Sequence, residues 1–152
     1  MGATEVDGHS FKDIGLPEFT VISRKESETG DILYTVEPKE RIADCPACGG
    51  KLHIHKDAKR KVKDLDEFGH RVGIVVKGKS YRCKDCGETV REEYASICGQ
   101  MTRRMVESIQ RDVFGDMTFT QIARRYNVSV STVQGLFEEQ GEKLWTAYHF
   151  VT

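Results

Sequence analysis

Two short segments of the same form constrain this chain more than anything else in it: Cys45-Pro46-Ala47-Cys48-Gly49 and Cys83-Lys84-Asp85-Cys86-Gly87. Each places two thiols on one tight turn, and the glycine lets the backbone curl so that its amides face the sulfurs. Brought together, the two turns supply the four sulfurs of a closed tetrahedral site. That site predicts one structural zinc ion held by Cys45, Cys48, Cys83 and Cys86, with no open position for catalytic water. A redox reading competes, because Cys-Pro-x-Cys resembles an oxidoreductase motif. It needs only one pair, a βαβ setting and a lowered thiol pKa, and no βαβ pattern surrounds these cysteines. A disulfide-linked secreted domain fits less well, since no signal-peptide pattern precedes them.

At 152 residues, 38% hydrophobic and 31% charged, the chain suits one domain or two small ones with a modest core that a metal would staple. No apolar run reaches membrane-spanning length, so the expectation is a reduced, cytoplasmic protein with no membrane partner. The net charge of −1 conceals a gradient: residues 45–98 carry twelve Lys/Arg against eight Asp/Glu, whereas residues 1–44 carry five against ten. The middle third is therefore where a phosphate-binding face belongs.

Residues 1–11 show no apolar period and are expected to form a disordered leader. Alternation over Phe19–Arg24 and Ile32–Val36, with a turn at Glu28-Thr29-Gly30-Asp31, predicts a β-hairpin. Leu52–His55 reads as a short strand, and the run from His55 to Lys63, including Lys59, Arg60 and Lys61, as a basic loop able to grip phosphates or simply to face solvent. A turn at Asp66–Gly69 leads to a valine-rich strand, Arg71–Lys77, which Gly78 is expected to break. Knuckle, strands, knuckle is a zinc ribbon with a 34-residue insertion between Cys48 and Cys83. His53 and His55 could replace a sulfur, but with four cysteines at hand they read as strand surface, and Cys98 as a partly buried free thiol.

Beyond Gly99 the period lengthens. Met101, Met105, Ile109 and Val113 fall four apart, predicting a helix over Thr102–Phe114. Phe119–Glu138 then fits a helix-turn-helix template. Thr118 and Ser129 are caps, Ala123 sits where the helices cross, Asn127 takes the left-handed turn position, and Ile122, Tyr126, Val128, Val133 and Leu136 face the core. Ser131, Thr132, Gln134, Gly135 and Glu138 are left facing outward to meet base edges, with the stretch from Ser129 to Gln134 set in a major groove and Arg124 and Arg125 as phosphate clamps. An ordinary pair of packed helices satisfies part of the same pattern. Gly135 and the acidic Glu138, Glu139 and Glu142 count against DNA contact. Trp145, Tyr148 and Phe150 form an aromatic tail that packs on the core or offers a surface for self-association as a homodimer.

The order of these features resembles the N-terminal portion of transposases of the ISL-three family of bacterial insertion sequences. The likeness runs from Ile14-Gly15-Leu16-Pro17 through the first knuckle, Val62-Lys63-Asp64-Leu65 with Gly69 and Val72, and Tyr81-Arg82 with the second knuckle. It continues at Met101-Thr102-Arg103-Arg104 and ends in the helix-turn-helix, covering most of residues 12–140. The resemblance implies that ribbon and helices bind the element's terminal inverted repeats, as double-stranded DNA at the bacterial nucleoid, while a DDE-type domain of RNase H-like fold cuts and joins strands. The sequence stops at Thr152, about where that domain would begin. No catalytic residue is carried over, no enzyme activity or small-molecule substrate is expected, and a cut-down fragment, a truncated gene and a domesticated remnant all stay open.

The expected fold class is thus α+β: an N-terminal β-hairpin and four-cysteine zinc ribbon over 12–98, followed by a three-helix helix-turn-helix domain over 99–144 and the tail 145–152. The expected function is the DNA-binding part of a transposase. The alternative is a stand-alone zinc-ribbon module that docks on a protein or regulates transcription.

Overall fold

The computed structural model describes residues 4–6 and 14–151, with side chains over 14–141. Of the expected leader, only Thr4–Val6 falls within the described residues, as strand β1. The chain divides into two units, one up to Thr102 and one from Arg103 onward.

The first unit is a single mixed sheet. After β1 come β2 (Phe19–Glu26) and β3 (Ile32–Pro38), then two long strands, β4 (Leu52–Glu67) and β5 (His70–Cys83). The short β6 (Thr89–Arg91), β7 (Ile97–Cys98) and β8 (Met101–Thr102) follow. The order across the sheet is β1-β2-β3-β5-β4-β8-β7, with β6 added to β5. The three helices α1 (Arg103–Val113), α2 (Phe119–Tyr126) and α3 (Val130–Val151) come after it.

This corrects the expected fold class. A hairpin and ribbon followed by a three-helix helix-turn-helix domain is not what the structure shows; the chain is mixed α/β and mostly one sheet. The physical reason lies in pairings that no local pattern reveals. β3 runs parallel to β5, from Ile32↔Val72 to Val36↔Val76, so the first hairpin merges with the ribbon. The basic run is no loop but the middle of β4, paired antiparallel to β5 from Leu52↔Cys83 to Glu67↔His70.

Burial along β5 alternates strictly: Val72, Ile74, Val76, Gly78 and Ser80 are buried, and the residues between them are half-buried. The even-numbered face meets Val62, Tyr34, Val36, Ile32, Phe19, Leu16 and Ile97 in one core. Gly78 does not break the strand. An ideal Cβ there would lie 2.7 Å from the Tyr94 Oη and 3.4 Å from a Glu92 oxygen, so glycine clears space for a polar network beside the core. Glu92 is 7% exposed. Its carboxylate accepts bonds from the hydroxyls of Tyr81 and Tyr94 and pairs with Arg41 at 3.0 Å. Burial, reinforced by the Glu92 charge, raises both tyrosine pKa values and keeps them donors. At the other end of β4, the buried Thr102 hydroxyl donates to Asp64 at 2.6 Å.

The turn between β4 and β5 has two central residues, Phe68 (φ 50°) and Gly69 (φ 80°), both left-handed, which is the arrangement a two-residue hairpin of right-handed twist requires. A left-handed conformation costs a non-glycine residue about 1–2 kcal/mol, and Phe68 recovers nothing by burial because it is 95% exposed.

In the second unit, Met105 and Ile109 of α1 are buried, together with Val106. Thr118 and Gln121 form a reciprocal capping box at the start of α2, and Asn127 ends that helix at φ 54°, ψ 49°. Ile122, Ala123, Tyr126, Val133 and Leu136 are buried. The Tyr126 hydroxyl donates to Asp112 at 2.5 Å. Trp145, Tyr148 and Phe150 belong to α3 by backbone, and their side chains lie outside the described residues.

Two stability outcomes follow. Phe68→Asn should stabilise the protein by about 1 kcal/mol, because asparagine tolerates the left-handed region and no buried area is lost; an unchanged or lower denaturation midpoint would contradict the strain. Gly78→Ala should cost about 1–3 kcal/mol by overpacking. Adding Tyr94→Phe, which removes the obstructing oxygen, should make the double variant less destabilised than the sum of the singles, whereas strict additivity would show that Tyr94 is not the obstruction.

Candidate metal centre

The two knuckles stand at the open end of the β4–β5 hairpin and share one construction. In the first, the Cys45 N–H donates to the Gly50 carbonyl at 2.7 Å and the Gly49 N–H to the Cys45 carbonyl at 2.8 Å. In the second, the Cys83 N–H donates to Glu88 at 2.9 Å and the Gly87 N–H to Cys83 at 3.0 Å. Gly49 (φ 77°) and Gly87 (φ 74°) are both left-handed with open space around them, so backbone conformation rather than crowding calls for glycine there. Pairing of Asp44 with Lys51, and of Leu52 with Cys83, ties the first turn to the second.

The four sulfurs lie within 4.8 Å of one another. Cys45 and Cys86 Sγ are 3.7 Å apart, and Cys48 and Cys83 Sγ 3.4 Å. A tetrahedron of four sulfurs around zinc, with Zn–S bonds of about 2.3 Å, separates its sulfurs by about 3.8 Å, so the donor set and its spacing fit one zinc ion. The first cysteine of each knuckle is buried and the second exposed, which seats the site at the surface with its inner half in the sheet. The Gly50 N–H points at the Cys48 sulfur at 3.4 Å. Among themselves the thiols share protons unequally. The Cys86 amide, followed by that of Asp85, overcomes burial and holds Cys83 down at about 7. Despite the Gly50 amide, bonds to Cys83 and Cys86 push Cys48 up to about 12. A metal that must find thiolates therefore displaces protons as it binds. With four protein ligands the site is closed, and its role is structural.

His53 and His55 are exposed on β4 and Cys98 is half-buried on β7; none of them belongs to the four-sulfur group. The basic run is split by strand alternation. Lys59 and Lys61 occupy the sheet face away from the core, while Arg60 is paired with the buried Val76 and donates to the Gly99 carbonyl at 2.5 Å. Lys77 and Lys79, on β5, share the face of Lys59 and Lys61. Sequence reasoning missed them, although their alternation with Val76, Gly78 and Ser80 was there to read once β5 was carried through the glycine.

In the second unit, Arg124, Arg125, Ser129, Ser131 and Gln134 are exposed and Thr132 half-buried. Arg125 is engaged: it pairs with Asp112 at 3.6 Å and lies over the Tyr126 ring at 5.8 Å. The Ser129 hydroxyl accepts from the Thr132 amide at 3.1 Å, capping α3. Gln134 donates to Glu138 at 3.4 Å. No helix among the described residues is long and apolar enough to cross a membrane.

The full chain should carry one zinc per polypeptide in native mass spectrometry. Losing one of four ligands forfeits about a quarter of the ~10–16 kcal/mol typical of such sites. Cys48→Ser or Cys83→Ser should therefore weaken zinc binding by roughly a hundred- to a thousandfold in a chelator competition, and Cys98→Ser should leave it unchanged. A weakened Cys98→Ser variant, or a stoichiometry other than one, would refute the ligand set.

Comparison with curated proteins and with solved structures returned no match. Comparison with protein families did: residues 43–86, both knuckles and the hairpin between them, match the family described as the zinc-finger of transposase IS204/IS1001/IS1096/IS1165, as expected of the N-terminal region of an ISL-three-type transposase.

Proposed function

We propose that this chain is the DNA-binding module of an insertion-sequence transposase and that it recognises the element's terminal inverted repeats. The observation that carries the reading is the coincidence of the transposase zinc-finger match over 43–86 with a four-sulfur site of zinc-binding geometry. The zinc holds the ribbon, and DNA is read by the pair α2 and α3 across the turn at Asn127. The cap residue Ser129, with Ser131 and Thr132 in the first turn of α3 and Gln134 one turn on, is offered to base edges in a major groove. Arg124 and Arg125 lie at the end of α2, where phosphates flank such a groove. For Arg125 to reach a phosphate, it must exchange Asp112 for it. In this reading the 152 residues bind DNA without cutting it, in the cytoplasm at the bacterial nucleoid.

A second reading, a zinc-ribbon module that docks on a protein, draws on one observation: Phe68 stands 95% exposed at the tip of the long hairpin. That reading predicts binding that ignores changes in α3.

The test is selection of bound fragments from a random duplex pool, with zinc present at physiological salt. The expected result is enrichment of one sequence that matches inverted repeats flanking the gene. Gln134→Ala should then relax preference at one base step at a cost of about 1–3 kcal/mol. Recovery of no preferred sequence would overturn base readout and favour the protein partner.

A further inference from the structure

The sheet has a second face, opposite the core. Strand alternation brings Asp57, Lys59 and Lys61 of β4 onto it, opposite Lys79, Lys77 and Val75 of β5 respectively. Lys79 pairs with Asp57. Lys59 and Lys77 face each other directly, and like charges so placed destabilise a sheet. Lys61 lies flat on the sheet. Gly73 leaves a bare patch where an added Cβ would touch Leu33 Cδ1 at 3.2 Å and Lys61 Cε at 3.7 Å, so the lysine stem covers apolar surface and carries its ammonium outward.

This face borders a gap in the sheet. β3 pairs with β5 as far as Val76, and β6 pairs with it only from Ser80 onward, so neither covers the edge of β5 at residues 77–79. A recess of about 330 Å³ opens there, with Arg41, Lys59, Lys77 and Lys79 around it against Glu37 and Asp57. A repulsive cationic pair beside a recess of net positive charge is the complement of a polyanion, and a bound phosphate would turn the Lys59–Lys77 repulsion into a shared attraction.

We propose that this outer face of β4 and β5 is a docking surface for the phosphate backbone of duplex DNA, with one phosphate seated in the recess between Lys59 and Lys77 and a neighbouring one on Lys61. The proposal rests on the DNA-binding reading above and adds to it a contact that carries no base information: phosphate contacts set position and affinity, while the base edges are left to the helices.

The experiment measures the dissociation constant of the zinc-loaded full chain on a duplex as a function of salt, for the wild type and for the triple variant Lys59→Gln/Lys61→Gln/Lys77→Gln. Lys56→Gln, an exposed lysine paired with Ser80 on the other face of the sheet, is the control, and Gln134→Ala reports on base readout. Each phosphate neutralised contributes about 0.9 to the slope of log K against log salt. With two phosphates released, the triple variant should therefore lose about 2 from the slope, equally on specific and random duplexes, while Lys56→Gln keeps the wild-type slope. Removal of the like-charge pair should leave the melting temperature of Lys77→Gln at or above that of the wild type, and Lys61→Gln, which alone holds the second phosphate and has an expected slope loss of about 0.9, serves if the triple fails to fold. A wild-type protein that binds DNA with a salt slope the variants do not change would overturn the sheet proposal alone. A wild type that binds no duplex at low salt would overturn both readings, and binding of an acidic polypeptide in place of DNA would reassign the face to a protein partner.

Discussion

The antiparallel pairing of β4 with β5 is the interaction on which the rest of the first unit depends. Its register, from Leu52↔Cys83 at one end to Glu67↔His70 at the other, brings together two knuckles that are 34 residues apart in sequence. It turns Val62, Ile74 and Val76 to one side to build the core and gathers the lysines on the other. β5 is also the strand to which β3 and β6 attach. A sheet made by two strands of such length needs closing at both ends. The left-handed pair Phe68-Gly69 closes one end by backbone conformation, and the four sulfurs close the other by coordination.

Local chemistry was the legible part of this sequence. The knuckles were read from two thiols and a glycine at fixed offsets, and the positive φ at Gly49 and Gly87 follows from the same turn. Asn127 was legible because few residues accept its conformation, and Ile122, Ala123, Val133 and Leu136 because helical period sorts core from surface. What could not be read were choices made between distant segments. The parallel docking of β3 on β5 leaves no mark in either strand. Lys59, Arg60 and Lys61 look like solvated loop because a strand with only one face buried, and that face interrupted by Ala58 and Arg60, loses its alternation. Gly78 looked like an end because its reason for being there, the hydroxyl of Tyr94, enters from sixteen residues later.

The two units answer the problem of small size differently. The first has one core on one side of a sheet and supplements it with buried polar bonds, Glu92 held by two tyrosines and an arginine and Asp64 by Thr102, together with a metal site. Those groups are costly to leave unpaired, so they specify a single arrangement more than they add stability. The second unit relies on capped helices and a compact set of aliphatic contacts, with Tyr126 joining α2 to α1 through Asp112 and Ser108. Metal chemistry and helix packing are thereby kept apart in the chain.

Closing the hairpin at both ends makes the zinc site indifferent to the length of what lies between. Cross-strand pairing cancels intervening sequence, so the knuckles meet whether the arms are long or short, provided both change together. Faces impose a stricter rule: in regular pairing a residue added to one arm alone moves every side chain beyond it to the opposite side, unless a bulge absorbs it, as β4 does between Ile54 and Lys56 and between Asp64 and Glu67. A longer or shorter span between the cysteine pairs therefore changes the charged arm while leaving coordination untouched.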